Sequence, residues 1–250
     1  MNTALSLRRN PVSLALSRTL WAGLWYLAAY QVVGWALFAI ALTALIVAAS
    51  LSFTLIGLPV LIGAAVVMRW CANAERARLR PFAVVTGRYR EVAGTGILAQ
   101  LSTRWRDPAT WRDLAYLVGL FAPLVALDLA VLVIWLTFLV GITLPAWYRA
   151  PWQSIHGHNF HGYQLGYFPN GPHGHPGYGL YVDTLPKALL AAAVFLILFL
   201  LFNYVVVATA RLHVAAARAL LQGAEDPLRE AKELLSRPGP LQGFIQQGRS

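Results

Sequence analysis

Four apolar runs dominate this chain, and they are too long to hide inside a soluble domain of 250 residues. They cover residues 21–49, 51–68, 114–147 and 188–209. A helix that crosses a bilayer needs about 20 mostly apolar residues. The first two runs together are too long for one crossing and right for two. Ala48-Ala49-Ser50-Leu51-Ser52 between them is the place for a tight turn. Composition agrees, since 58% of residues are apolar and 12% charged, about half the roughly 25% charge of soluble domains. So few charges cannot cover a water-facing surface, whereas a lipid-facing one needs none. The chain therefore reads as an all-α integral membrane four-helix bundle, with spans near 21–48, 52–70, 114–147 and 187–210. Arg8 and Arg9 precede the first run, which is too long for a cleaved signal peptide.

Charge sets an expected orientation. Of 20 Lys and Arg residues, three precede the first span, nine lie within 69–112 and six follow the fourth span. Arg149 and Lys187 alone flank the segment between spans three and four. Positive residues mark the cytoplasmic side. Residues 1–20, the loop 71–113 and the tail 224–250 are therefore expected inside a bacterial cytoplasmic membrane, and the loop 149–186 outside. Anionic inner-leaflet lipid accounts for the net charge of +10. Nucleic acid is not an expected partner, because the arginines hug the span ends and form no separate basic domain. Cys71 is the single cysteine, so it makes no internal disulfide, and it falls on the reducing side.

Aromatic residues gather where headgroups would lie: Trp21, Trp25, Tyr26, Trp70, Trp105, Trp111 and Tyr116 inside, Trp147, Tyr148 and Trp152 outside. Trp35 and Trp135 are deeper and read as packing. Asp107-Pro108 supplies a cap and a first-turn proline for span three, and Asp183, Thr184 and Pro186 open span four. Span four continues past Arg211-Leu212-His213 toward Gly223, and Asp226-Pro227 opens a short amphipathic helix at 228–235. Residues 97–106 read as a surface helix on the inner leaflet, apolar side down. Trp21-x-x-Leu24-x-Tyr26-Leu27 matches Trp111-x-x-Leu114-x-Tyr116-Leu117, and Ala77-Arg78-Leu79 matches Ala210-Arg211-Leu212. Such a duplication implies two helical hairpins related in parallel.

Two places carry candidate chemistry. The outer loop holds His156, His158, His161, His173 and His175, including two His-x-His pairs. Alternate residues of an extended chain share a face, so each pair could bite zinc, copper or nickel through neutral imidazole. The same residues could report external acidity, or be solvated members of a Gly/His/Tyr/Pro-rich loop. The other place is Asp128, near the middle of span three, where a carboxylate costs several kcal/mol unless protonated, paired or wetted. No Lys or Arg sits deep in any span, so the expected partners are Gln31, Thr43, Ser50, Ser52, Thr54 or Asn203. Asp128 reads either as a proton- or ligand-responsive group or as an interhelical hydrogen bond worth about 1 kcal/mol. Pro59 and Pro123 are expected to kink spans two and three. Catalysis finds no support: there is no Gly-rich phosphate loop, no His-Glu-x-x-His and no Gly-x-Ser-x-Gly.

Four stretches carry a resemblance: Asp107-Pro-Ala-Thr-Trp-Arg-Asp-Leu-Ala-Tyr-Leu117, Leu144-Pro-Ala-Trp-Tyr148, Tyr181-Val-Asp-Thr-Leu-Pro-Lys-Ala-Leu-Leu190 and Ala210-Arg-Leu-His-Val-Ala-Ala-Ala-Arg-Ala-Leu-Leu221. In order and spacing the chain resembles, over residues 18–223, the four-helix sensor domain at the N-terminus of many actinobacterial histidine kinases, sometimes encoded alone. The resemblance implies signal perception in or outside the membrane and brings no ligand or catalytic residues with it. Glu75-Arg-Ala-Arg-Leu79 is followed by Arg80-Pro81-Phe82 where a phosphoacceptor His-Asp would stand, so a non-enzymatic sensor or regulatory subunit is expected. Its candidate partners are a histidine kinase, another cytoplasmic signalling protein or a further copy of the chain. The alternatives are a small transporter or metal-handling protein using Asp128 and the outer histidines, and a structural envelope subunit. Zinc and copper titration separates the loop readings. Chelation predicts binding lost when the five histidines are replaced, whereas an acidity sensor predicts a metal-independent change near pH 6.5, about where imidazole titrates.

Overall fold

The computed structural model describes residues 10–54, 56–90, 96–155, 158–168 and 177–222. Arg8, Arg9, His156, His173, His175, the expected helix at 228–235 and the rest of the tail lie outside the described residues. The framework is all-α: α1 Pro11–Ala15, α2 Arg18–Leu51, α3 Gly57–Leu79, α4 Ile97–Trp105, α5 Pro108–Leu114, α6 Phe121–Ile142, α7 Leu144–Trp147 and α8 Leu185–Leu221. Of these, α2, α3, α6 and α8 are long and apolar enough to cross a membrane. With 34 and 37 residues, α2 and α8 reach roughly 50 Å and 55 Å, well past a hydrocarbon layer of about 30 Å.

Local chemistry starts and stops these helices. The Ser17 hydroxyl accepts from the Leu20 N–H to cap α2, and Asp107 accepts from Ala109 N–H ahead of Pro108 in α5. The first helix runs to Leu51, so the turn falls just after the small-residue stretch that marks it in sequence. Ser52 and Thr54 hydroxyls donate to the Ala49 and Leu51 carbonyls there. A Cβ on Gly57 would collide with the Leu51 carbonyl, so the turn is this tight because residue 57 has no side chain.

The third span is not one α-helix. Between α5 and α6 lies a π-helical turn, Ala115–Gly119, where the Leu120 N–H reaches back to the Ala115 carbonyl at 2.9 Å. Pro123 sits in the first turn of α6, where its missing N–H costs nothing, so it follows a restart instead of kinking a continuous helix. The turn also resets the helical face. Tyr116 and Asp128 would lie about 120° apart on a regular helix, and one looped-out residue reduces this to about 20°. Both then point into the protein, and both are buried.

The hairpins do not run in parallel, as the short sequence repeat implies. Along α2, Trp21 meets Trp135, Gln31 meets Val125 and Phe38 stacks on Phe121. One number rises as the other falls, so α2 and α6 are antiparallel. Gly23 faces Ala210 and Tyr26 faces His213, so α2 and α8 are parallel. The α2–α3 turn and the α6–α8 connection therefore stand at opposite ends, and the hairpins overlap in the middle. The reason lies in the linker. Helix α4, expected on the leaflet surface, lies against α3, with the Trp105 indole donating to the Leu61 carbonyl at 3.1 Å. The chain thus returns along α3 before span three begins. The arrangement is that of an inverted membrane repeat.

Within 149–186, expected as an outer loop, the described residues form two antiparallel strand pairs. β1 Trp152–Ile155 pairs with β2 His158–His161, and β3 Tyr163–Tyr167 with β4 Tyr178–Val182. Val182 of β4 joins a small cluster with Leu144, Tyr148, Ala188 and Ala191, and Tyr163 of β3 packs against it. Spin labels at Ser52 and Thr143 test the hairpin arrangement. The opposed hairpins put them more than about 45 Å apart, the rise of some 30 helical residues. A parallel bundle would hold them within about 20 Å, two helix diameters.

Candidate functional site

Where the hairpins overlap, the interior becomes polar. Glu75 of α3 is fully buried, which obliges it to find partners, because an unpaired buried carboxylate is very costly. Arg78, three residues on, donates Nη2 to Oε1 at 2.6 Å and Nε to Oε2 at 2.9 Å. The Tyr116 hydroxyl donates to Oε1 at 3.1 Å and the Tyr26 hydroxyl reaches the same oxygen at 3.4 Å. These two tyrosines occupy matching places in the sequence repeat and approach one carboxylate from antiparallel helices. Arg78 also donates to the Tyr26 carbonyl at 3.1 Å and lies over the Tyr26 and Tyr30 rings.

The residue after Glu75, Arg76, acts as a second hub. Its guanidinium donates to Asp113 Oδ1 at 2.7 Å, to Asn73 Oδ1 at 2.8 Å, to the Tyr89 hydroxyl at 2.6 Å and, through Nε, to the Leu221 carbonyl at 3.1 Å. A single side chain thus joins α3, the start of the third span, the segment after α3 and the last turn of α8. Phe82, Ala83 and Val85 anchor that segment in the core. It passes so close over Arg76 that a Cβ on Gly87 would overlap the guanidinium carbon. Burial and the Asp113 carboxylate push the Tyr89 phenol up to about 12, so at neutral pH it keeps its proton and donates to Asp113 Oδ2 at 2.6 Å. Arg69 continues the layer, donating to Asp107 Oδ2 at 3.1 Å and to Thr110 Oγ1 at 3.3 Å, and the Arg90 N–H meets the same Asp107 oxygen.

Asp128 has a partner outside the set expected for it. His213 Nε2 lies 2.8 Å from Asp128 Oδ1, with both side chains fully buried. Span four stays helical and packed beyond Ala210, which brings His213 into the interior instead of past the span's end. Tyr26 and Tyr30 meet the imidazole edge-on, at ring-centre distances of 5.7 Å and 5.0 Å. The other expected partners are engaged elsewhere or lie apart. Gln31 donates to the Val125 carbonyl at 3.3 Å, and Asn203 Oδ1 accepts from the Trp135 indole at 2.9 Å. The hydroxyls of Ser52 and Thr54 serve the α2–α3 turn, and Thr43 lines a groove between α2 and α3.

Of the outer histidines, His158 opens β2, paired with Ile155, and His161 closes it, paired with Trp152. His161 is exposed, and its carbonyl accepts from the Tyr181 hydroxyl at 2.7 Å. Among the described residues, no group of three His, Cys, Asp or Glu side chains is placed to hold a metal. Sequence reasoning missed Glu75, Arg76 and Arg78 as interior groups, because it placed them in the cytoplasmic loop 71–113. The available signal was a Glu amid arginines beside the Ala77-Arg78-Leu79 repeat.

Replacing Glu75 with Ala should destabilise the protein by about 3 kcal/mol or more, since it strands the Arg78 guanidinium, whereas Tyr116→Phe should cost about 1 kcal/mol. Thermal unfolding in mild detergent measures both, and the double variant E75A/R78M should regain part of the loss.

A family model described as "Putative sensor" matches residues 26–221. No curated protein and no solved structure matches the chain.

Proposed function

The chain belongs to this sensor family, and from that premise we propose that it is a non-enzymatic regulatory membrane protein that relays a change in its helices to a signalling partner. The observation that carries the reading is the Arg76 hub. It binds the end of α8, the start of the third span and the segment after α3 through one guanidinium. A shift of α8 against α3 must break or stretch the bond to Leu221, so movement among the spans reaches the backbone where α8 ends. Relay requires two arrangements that the signal stabilises unequally. The buried Glu75 and Asp128 clusters supply bonds that two arrangements would satisfy differently.

The proposed setting is a bacterial cytoplasmic membrane, with a histidine kinase or another cytoplasmic signalling protein as the receiver. The charge pattern supports cytoplasmic termini and a cytoplasmic 71–113 segment. That orientation requires both hairpin tips on one face, whereas the antiparallel packing separates them. The Ser52–Thr143 distance therefore decides between the two.

A second reading, transport of protons or metal ions, draws on the enclosed Asp128–His213 pair. Flux in proteoliposomes that Asp128→Asn abolishes would favour it. The relay reading predicts no flux. It further predicts that a gentle-detergent pull-down of the wild-type chain retains a kinase or response regulator, and that Arg76→Met weakens this association or its signalling output by roughly tenfold, the cost of about 1.4 kcal/mol. Recovery of neither protein from cells expressing the full chain would end the relay proposal.

A further inference from the structure

The Asp128–His213 bond joins α6 to α8, and each residue has an unused polar atom. Asp128 Oδ2 and His213 Nδ1 are buried without a hydrogen-bond partner. An aspartate whose whole role was to pin two helices would be expected to have its second oxygen bonded, because an unmet buried acceptor costs about 1–3 kcal/mol. Tyr26 and Tyr30 face the pair from α2, and Glu75 and Arg78 from α3. The nearby guanidinium, Arg78, is already closed onto Glu75 by two hydrogen bonds.

Counting protons shows what the pair can do. With one shared titratable proton it is carboxylate with imidazolium, or carboxylic acid with imidazole, and neutral as a whole. Without that proton the carboxylate accepts the Nε2–H of neutral imidazole, and the pair carries one negative charge. Both states bond α6 to α8, but the deprotonated pair buries a net negative charge between two side chains with no exposed surface, which is costly unless the helices shift to bring it a donor or water. A proton is also the ligand that needs no cavity, which suits two side chains with no exposed surface. We propose that Asp128 and His213 form a proton-binding site whose occupancy sets how α6 packs on α8. Tyr26 connects it to the rest of the polar layer, since it touches the His213 ring and reaches Glu75. The site stands independently of the relay reading, because it takes up a proton whether or not a partner is attached.

The test uses the full chain in lipid nanodiscs, titrated between about pH 5 and pH 9 to bracket the imidazole range. Infrared difference spectra follow the carboxyl and imidazole groups, and spin labels at Leu139 of α6 and Leu198 of α8, both exposed, follow the packing. The expected result is one protonation step that coincides with a change in the label distance. Both changes should be lost in Asp128→Asn. Should that variant fail to fold, the double variant D128L/H213L carries the same test, because two apolar replacements remove the buried polar groups together. It should be monodisperse and insensitive to pH. A wild-type chain with no titration over the range, a step that survives either variant, or a step that leaves the distance unchanged would each overturn the proposal. A pull-down without a signalling partner would sink the relay reading and leave this site untouched, while a pH-silent pair would do the reverse.

Discussion

Burying Glu75 is the constraint around which the rest of the interior is organised. A carboxylate withdrawn from water among apolar helices must be surrounded by donors. Here they come from α2, α3 and the π-helical turn. Each donor fixes a helix. Arg78 ties α3 to itself and to the α2 backbone, Tyr26 orients α2, and Tyr116 orients the third span. The apolar contacts around this layer are numerous but non-directional. They would tolerate many rotations of a Leu- and Val-rich helix, and the polar layer tolerates few. Register among the spans is therefore specified by a handful of bonds, and the lipid-facing surface supplies bulk without instruction.

The same logic explains why the two hairpins overlap where they do. Glu75, Arg76, Asp113, Asp128 and His213 are all buried, and their partners, Arg78, Tyr26, Tyr89 and Tyr116 among them, lie in the same layer. An overlap at this layer brings both hairpins' polar positions together. A linker that folds back along α3 makes the overlap possible. Its Trp105 finds an acceptor on α3, and Asp107 at its end finds Arg69. The linker is thus part of the interior and not a simple connection.

The spans were legible because long apolar runs leave no alternative to membrane-length helices, and Asp107-Pro108 was legible because a cap works locally. The strand pairs between α7 and α8 were not, since glycine- and histidine-rich sequence alternates too weakly to announce strands. The relation between the hairpins was misread. A seven-residue repeat records common local chemistry, the Tyr26 and Tyr116 hydroxyls that both seek Glu75, and carries no information on direction. Asp128 was legible as a residue in need of a partner. His213 was not recognised as that partner, because 85 residues separate them and a histidine past an apolar run looks solvated. Arg76 and Arg78 were hidden by their own abundance. In a basic stretch nothing distinguishes the guanidinium that turns inward from those that meet lipid headgroups.

The π-helical turn at Ala115–Gly119 stores one residue of slack in the third span. Loss of one residue there would turn the segment into ordinary α-helix and leave Tyr116 and Asp128 about 20° apart, still on one face. Winding the turn into α-helix at its present length would instead rotate everything from Phe121 to Ile142 by about 100° relative to Tyr116. Asp128 would then swing away from His213 while Tyr116 stayed on Glu75. The turn is therefore a swivel inside the span, and a chain shorter by one residue would keep the bonds and lose the freedom to turn.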